Sequence, residues 1–233
     1  MFSINTITAP LKAFLIEIGE NSINGDVDQF LDQSQVLIIN IPPKLRGNST
    51  ENFVSKIENI LPFIEKSGIK KVLFVSSTSV FSDENKVVTE ETIPNPDSES
   101  GKQLLDCEKL LQENSHFETT ILRFGGLIGE DRHPIYFLAG RTSIENPEAP
   151  VNLIHLEDCI GIILKIIHGN WWGETFNAVP SKWFQTGQLS GSGCGAQTLP
   201  RSTNRRFAHR SRRSNRWHRP CRPNNGPSDV RIR

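Results

Sequence analysis

The chain has 233 residues, of which 36% are hydrophobic and 22% charged, with 26 Lys and Arg against 26 Asp and Glu. This is an ordinary globular composition, but the zero net charge hides a split: residues 1–184 carry 15 cations and 25 acids, whereas residues 185–233 carry 11 arginines and a single acid, Asp229. No apolar run approaches the ~18–20 residues that a bilayer span needs, none near the start suits a signal peptide, and Cys107, Cys159, Cys194 and Cys221 are too scattered for a disulfide framework. A membrane-spanning or disulfide-stapled secreted protein is excluded, and a cytoplasmic one is expected.

Residues 12–18 (KAFLIEI) read as a short buried strand and residues 25–31 as a helical turn. Residues 35–41 (QVLIINI) are continuously apolar and end at Pro42-Pro43. Continuous rather than alternating apolarity suits a parallel strand covered on both faces. Residues 50–66 predict a helix, capped by Ser49 or Thr50 and closed by Gly68. Its apolar face is formed by Phe53, Val54, Ile57, Ile60, Leu61 and Ile64. A strand over 71–75 completes a βαβ unit. After a polar loop over 76–97, a helix is expected over 99–112, with Leu104, Leu105, Glu108 and Leu111 at helical spacing. A strand over 118–124, a helix over 157–168 and a last strand over 174–179 follow. The alternation predicts an α/β fold, a partial Rossmann-type doubly wound parallel sheet, over residues 1–184.

Beyond about residue 185 Gly, Ser, Arg, Asn, Pro and Thr dominate, and the few apolar residues keep no period. Such a segment buries too little to offset its ordering entropy, so residues 185–233 are expected to be a disordered basic tail. The switch from mixed Lys and Arg to Arg alone points to translation in a shifted frame. A basic arm for RNA or other anionic partners, or a tail without a role, are the other readings. Cys194, His209, His218 and Cys221 have the wrong spacing for zinc, so no metal site is expected.

The stretch from Val72 to Phe81 (VLFVSSTSVF) ends a buried strand in a hydroxyl cluster, at the carboxyl end where doubly wound sheets place ligand groups. It resembles the V-S-S-x-x-V-Y-G strand of the NAD-dependent epimerase/dehydratase family, the extended and atypical short-chain dehydrogenase/reductases. Further segments match in the same order: residues 36–43 (VLIINIPP), 96–108 (PDSESGKQLLDCE), 122–129 (LRFGGLIG) and 151–159 (VNLIHLEDC). The resemblance runs over about residues 12–180 and is strongest to the atypical subgroup of the bacterial YeeZ type.

The resemblance implies NAD or NADP as cofactor, contacted by Pro42, Pro43, Ser76, Arg123, Gly125 and Gly126. It implies a small-molecule substrate, a nucleotide-sugar or another hydroxyl or carbonyl compound, and places Ser77, with Thr78 beside it, at the catalytic hydroxyl. The competing reading is that these hydroxyls merely cap the strand end, and that the glycines merely turn the chain. Two departures stand out. No strand–G-x-G-x-x-G–helix unit is present to hold a pyrophosphate; the glycine-rich run at 191–196 follows no strand. The family's Tyr-x-x-x-Lys pair is replaced by Ser100 and Leu104. In the family the tyrosine is the general acid/base and the lysine lowers its pKa, so weak cofactor binding and impaired turnover are expected. A non-catalytic dinucleotide-sensing or interaction protein is the alternative, and a basic-tailed nucleic-acid binder a remoter one. His155 and Asp158 sit at a helix start, where a capping or first-turn role is the default.

Overall fold

The computed structural model describes residues 12–43, 51–84, 86–129, 132, 150–180, 184–185 and 230–232. Its centre is a five-stranded sheet in which Val230–Ile232 (β11) lies at one edge and β9 (Thr175–Pro180), β5 (Glu118–Phe124), β4 (Lys71–Ser77) and β3 (Val36–Ile39) follow in that order. Strands β3, β4, β5 and β9 are parallel neighbours, with Val36 opposite Lys71, Lys71 opposite Glu118 and Ile121 opposite Thr175. The parallel pairing expected of residues 35–41 and 71–75 is therefore present, and the doubly wound reading holds.

Side chains alternate across these strands, and two separate cores result. Leu37, Ile39, Val72, Phe74 and Ile121 point to one face, where they meet Phe53, Ile57, Ile60, Leu61 and Ile64 of α2 (Phe53–Lys66) and Leu104, Cys107 and Leu111 of α3 (Glu99–Gln112). Leu73, Leu122, Phe124 and Ala178 point to the other, under Cys159, Ile162 and Ile166 of α4 (Leu156–Gly169).

Helix ends follow local chemistry. Asn52 caps α2 through its side chain, which accepts from Ser55 N–H, so neither Ser49 nor Thr50 is the cap. The α2 C-cap is Ser67 in extended backbone, and Gly68 does not take a positive φ, so the expected left-handed glycine cap is not used. Ser98 caps α3, and His155 caps α4 by accepting from Glu157 N–H at Nδ1 (3.3 Å). Asp158 lies in the first turn of α4, where a carboxylate meets the positive end of the helix dipole.

The N-terminal segment departs from expectation. Only Glu17–Ile18 (β1) of residues 12–18 is extended and paired, and it forms an antiparallel hairpin with Ile23–Asn24 (β2) outside the main sheet. Residues 14, 16 and 18 face the protein while Leu15 is exposed, so the run alternates and packs by one face only. The short α1 (Val27–Leu31) follows, and the Asn59 amide pins the hairpin to α2 by donating to the Gly19 and Glu20 carbonyls.

Two further short pairs lie outside the main sheet. β6 (Gly126–Ile128) runs parallel to β8 (Leu153–His155), and β7 (Pro150–Val151) pairs antiparallel with β10 (Phe184–Gln185). The expected disorder of residues 185–233 falls almost wholly outside the described residues. Val230–Ile232 (β11) is the departure: its backbone pairs antiparallel with Ala178–Pro180 of β9. An edge strand offers unpaired N–H and C=O groups to any extended segment without requiring a periodic sequence. The candidate zinc residues Cys194, His209, His218 and Cys221 lie outside the described residues. Among the described residues no helix is long and apolar enough to cross a membrane.

Gly101 sets how closely α3 approaches the 3₁₀ turn η1 (Thr78–Val80): a Cβ there would lie 2.2 Å from the Ser79 carbonyl oxygen and 2.8 Å from Pro96 Cβ. Gly101→Ala should therefore destabilise the fold by about 1–3 kcal/mol, reversing the gain of up to ~1 kcal/mol that alanine normally brings to a helix. Gly68→Ala, whose Cβ would meet only Ser34 O at an ordinary 3.6 Å, should be tolerated. Urea denaturation midpoints of the two variants test the contrast.

Candidate active site

Because β3, β4, β5 and β9 are parallel, their carboxyl ends lie on one edge of the sheet. Pro42-Pro43 follow β3, Ser76-Ser77 end β4, and Arg123-Phe124 end β5. At this edge the register aligns three polar residues in one row: Ser76 opposite Arg123, and Arg123 opposite Asn177. All three are buried, with 5–6% of their surface exposed.

In-register neighbours share a face, and this row faces α3. Glu108, 1% exposed, descends from α3 onto it. Its carboxylate accepts from Ser76 Oγ (2.6 Å), from Arg123 Nε at both oxygens (3.0 and 3.2 Å) and from Arg123 Nη2 (2.5 Å). The Arg123 guanidinium also lies 5.1 Å from the centre of the half-buried Phe81 ring, a cation–π contact. Asn177 donates its backbone N–H to Glu90 Oε1 (2.8 Å), which ties the loop between η1 and α3 to β9.

Ser76 and Arg123 are thus brought together, and both point into the α3 interface, where Ser76 Oγ and the Nε and Nη2 atoms of Arg123 are engaged by Glu108. Ser77, half-buried, accepts from Ser79 N–H (3.1 Å) and so caps η1. Among the described residues its own O–H, which can also donate, has no acceptor. Thr78 begins η1, and the close Gly101–Ser79 approach brings Ser77, Thr78 and half-buried Ser100 to the same corner of the domain. Leu104, at the lysine position, is 4% exposed and belongs to the α2–α3 core. Pro42 is exposed and Pro43 half-buried at the end of β3.

Gly125 and Gly126 have a structural use. A Cβ on Gly125 would lie 2.8 Å from Asn152 O, one on Gly126 would lie 2.9 Å from Leu153 Cδ2, and Gly126 N–H donates to Asn152 O (2.7 Å). The glycines let residues 125–126 run against residues 152–153. Cys107 offers no nucleophile: burial pushes its thiol up to about 12, and Cys159 is raised likewise to about 12. Among the described residues no group of three or more His, Cys, Asp or Glu could hold a metal ion.

Glu108, Glu90 and Asn177 were not singled out as site residues from the sequence. A signal for Glu108 exists: with Leu104 and Leu111 at spacings of four and three, it falls on the apolar face of its helix. Arg123 likewise interrupts an apolar strand. A buried acid and a buried base, each needing a partner, point to each other. Glu108→Gln should cost about 3–5 kcal/mol by leaving the guanidinium uncompensated, and Ser76→Ala about 1.5–3 kcal/mol for one hydrogen bond to a carboxylate. Urea unfolding at unchanged m-value checks both. A Glu108→Gln variant within about 1 kcal/mol of wild type would mean that the pair does not hold α3 to the sheet.

No family model matches the chain. Two curated relatives, both Protein YeeZ, from Escherichia coli K12 and from Escherichia coli O157:H7, are each 34% identical over 152 residues, 65% of this chain and 55% of theirs. The chain therefore spans about half the length of the curated relatives it matches. Among solved structures, a Methylobacillus flagellatus protein classed as an NAD-dependent epimerase/dehydratase is 26% identical, with a TM-score of 0.53, over 60% of this chain and 52% of its own. UDP-glucuronic acid 4-epimerase from Bacillus cereus, in complex with UDP-glucuronic acid and NAD, has a TM-score of 0.59 at 19% identity, over 70% and 59% of the two chains. At that identity the likeness is one of fold. The resemblance read from the sequence segments is borne out: the chain is similar to YeeZ and has the Rossmann-type fold of the NAD-dependent epimerase/dehydratases.

Proposed function

We propose that the chain is an NAD(P)-binding-type domain whose carboxyl edge receives a small hydroxyl or carbonyl compound, of which a nucleotide-sugar is the leading class. The observation that carries this is the Ser77 hydroxyl, held at the end of β4 by its bond from Ser79 N–H and making no other hydrogen bond among the described residues. Solved proteins of the same fold are nucleotide-sugar epimerases in complex with NAD. The residues present fit the cofactor only in part. Pro42-Pro43, Ser77 and the 125–126 backbone sit at the edge where doubly wound folds hold a dinucleotide. Among the described residues no strand–glycine loop–helix unit supplies N–H donors for a pyrophosphate, and buried Leu104 occupies the position of the family's lysine. The roles left to this chain are to bind, through the Ser77 O–H, and to orient, through the η1–α3 corner.

The burial of Leu104 favours a second reading, a non-catalytic dinucleotide-sensing or interaction protein. Loss of a positioned general acid/base costs ~10²–10⁴ in rate, which a sensor does not need. Calorimetric titration of NADH and NADPH into the purified chain separates the readings when paired with a turnover assay. Weak binding with no detectable turnover is the expected result. Should turnover appear, Ser77→Ala should lower it. Micromolar binding by the chain alone would place the cofactor on residues other than those named here.

A further inference from the structure

Arg123 Nη1 and both polar atoms of the Asn177 carboxamide, Oδ1 and Nδ2, are fully buried with no hydrogen-bond partner among the described residues. A buried polar group left without a partner keeps its full desolvation penalty, so native proteins rarely tolerate three together. They are not scattered. Arg123 and Asn177 are register partners on adjacent parallel strands, and both face α3. The rest of the Arg123 guanidinium is fixed by Glu108 on one side and faces Phe81 on another, so Nη1 cannot swing away to find a partner.

We infer that Arg123 and Asn177 form a binding site for one buried water molecule, which accepts from Arg123 Nη1 and donates to Asn177 Oδ1. The chemistry excludes other small ligands. The Arg123 charge is already balanced by Glu108, and Glu90 brings a second carboxylate to the backbone of Asn177. An anion would therefore enter a region already short of positive charge. Each orphaned atom exposes less than 1 Å², so a ligand larger than water would have to part the sheet from α3. Two or more polar partners, donor and acceptor both, are what a buried water requires. This inference is independent of any cofactor. Filled, the site leaves only Asn177 Nδ2 of the three without a partner among the described residues, and makes one continuous polar chain from Ser76 through Glu108, Arg123, the water and Asn177, whose backbone holds Glu90 of the η1–α3 loop.

Two measurements on the full chain test it. Oxygen-17 magnetic relaxation dispersion counts waters held longer than molecular tumbling. Asn177→Leu should lower that count by one, and an unchanged count would overturn the proposal. A crystal structure of the wild-type chain keeps the test open if that variant does not fold. Density for a single water within hydrogen-bond distance of both Arg123 Nη1 and Asn177 Oδ1 is the expected result. A direct Arg123–Asn177 hydrogen bond, or density larger than one water, would overturn it.

Discussion

The buried ion pair between Glu108 and Arg123 is the interaction on which the organisation of the carboxyl edge depends. Two charges removed from water must recover a large desolvation cost through each other and through every remaining lone pair. Glu108 does so with four hydrogen bonds from two residues, Ser76 on β4 and Arg123 on β5. The geometry admits one placement of α3 over the sheet: sliding the helix by a turn would move Glu108 off the row that Ser76 and Arg123 define. Apolar contacts from Leu104, Cys107 and Leu111 supply adhesion along the same helix face. Adhesion of that kind tolerates shifts of register, whereas a bidentate ion pair does not.

That placement has a consequence for function. Side chains at the carboxyl ends of parallel strands are the usual source of ligand contacts, but here two of them are spent on holding α3. What remains for a ligand is the outer corner, where η1 turns Ser77 and Thr78 past the first turn of α3. Gly101 permits that corner by omitting a Cβ that would strike the Ser79 carbonyl. The ion pair and the glycine thus act in series: one fixes where α3 lies, the other how close η1 may come. Together they set the position of the turn that carries Ser77 and Thr78.

Most of the central fold was legible in the sequence because its elements are strongly periodic or continuously apolar. Residues 71–75, 99–112 and 118–124 could be read almost to the residue, and the faces of α2 and α3 follow directly from their apolar spacing. What was not legible is local or non-periodic. The segment 12–18 is apolar enough for a core strand, yet its alternation suits one-sided packing, and only Glu17–Ile18 pairs, in a hairpin with Ile23–Asn24. The α2 cap went to Asn52, nearer the first buried residue than Ser49 or Thr50, because a cap must sit where the apolar face begins. Pairing of Val230–Ile232 with β9 is main-chain chemistry and leaves no pattern in side chains. At the site, Ser76 and Arg123 could be placed at strand ends, but the face on which each points depends on register, which no single strand reveals.

The two faces of the sheet are unequal, and this bears on how the site is supported. The α2–α3 face includes the buried residues of α1, α2, α3, β3 and β4, whereas the α4 face draws on a smaller set centred on Leu73, Leu122, Cys159, Ile162 and Ile166. Leu156, Ile160 and Leu164 of α4 remain exposed at spacings of four, so that helix buries less than its sequence offers. Local stability follows the apolar surface that an element buries. β4 carries Ser76 and Ser77 to the carboxyl edge on opposite faces: Ser76 is held from the deeper face by Glu108, whereas Ser77, opposite Phe124 in register, shares the face covered by α4. The end of β4 is thus anchored firmly on one face and more lightly covered on the other.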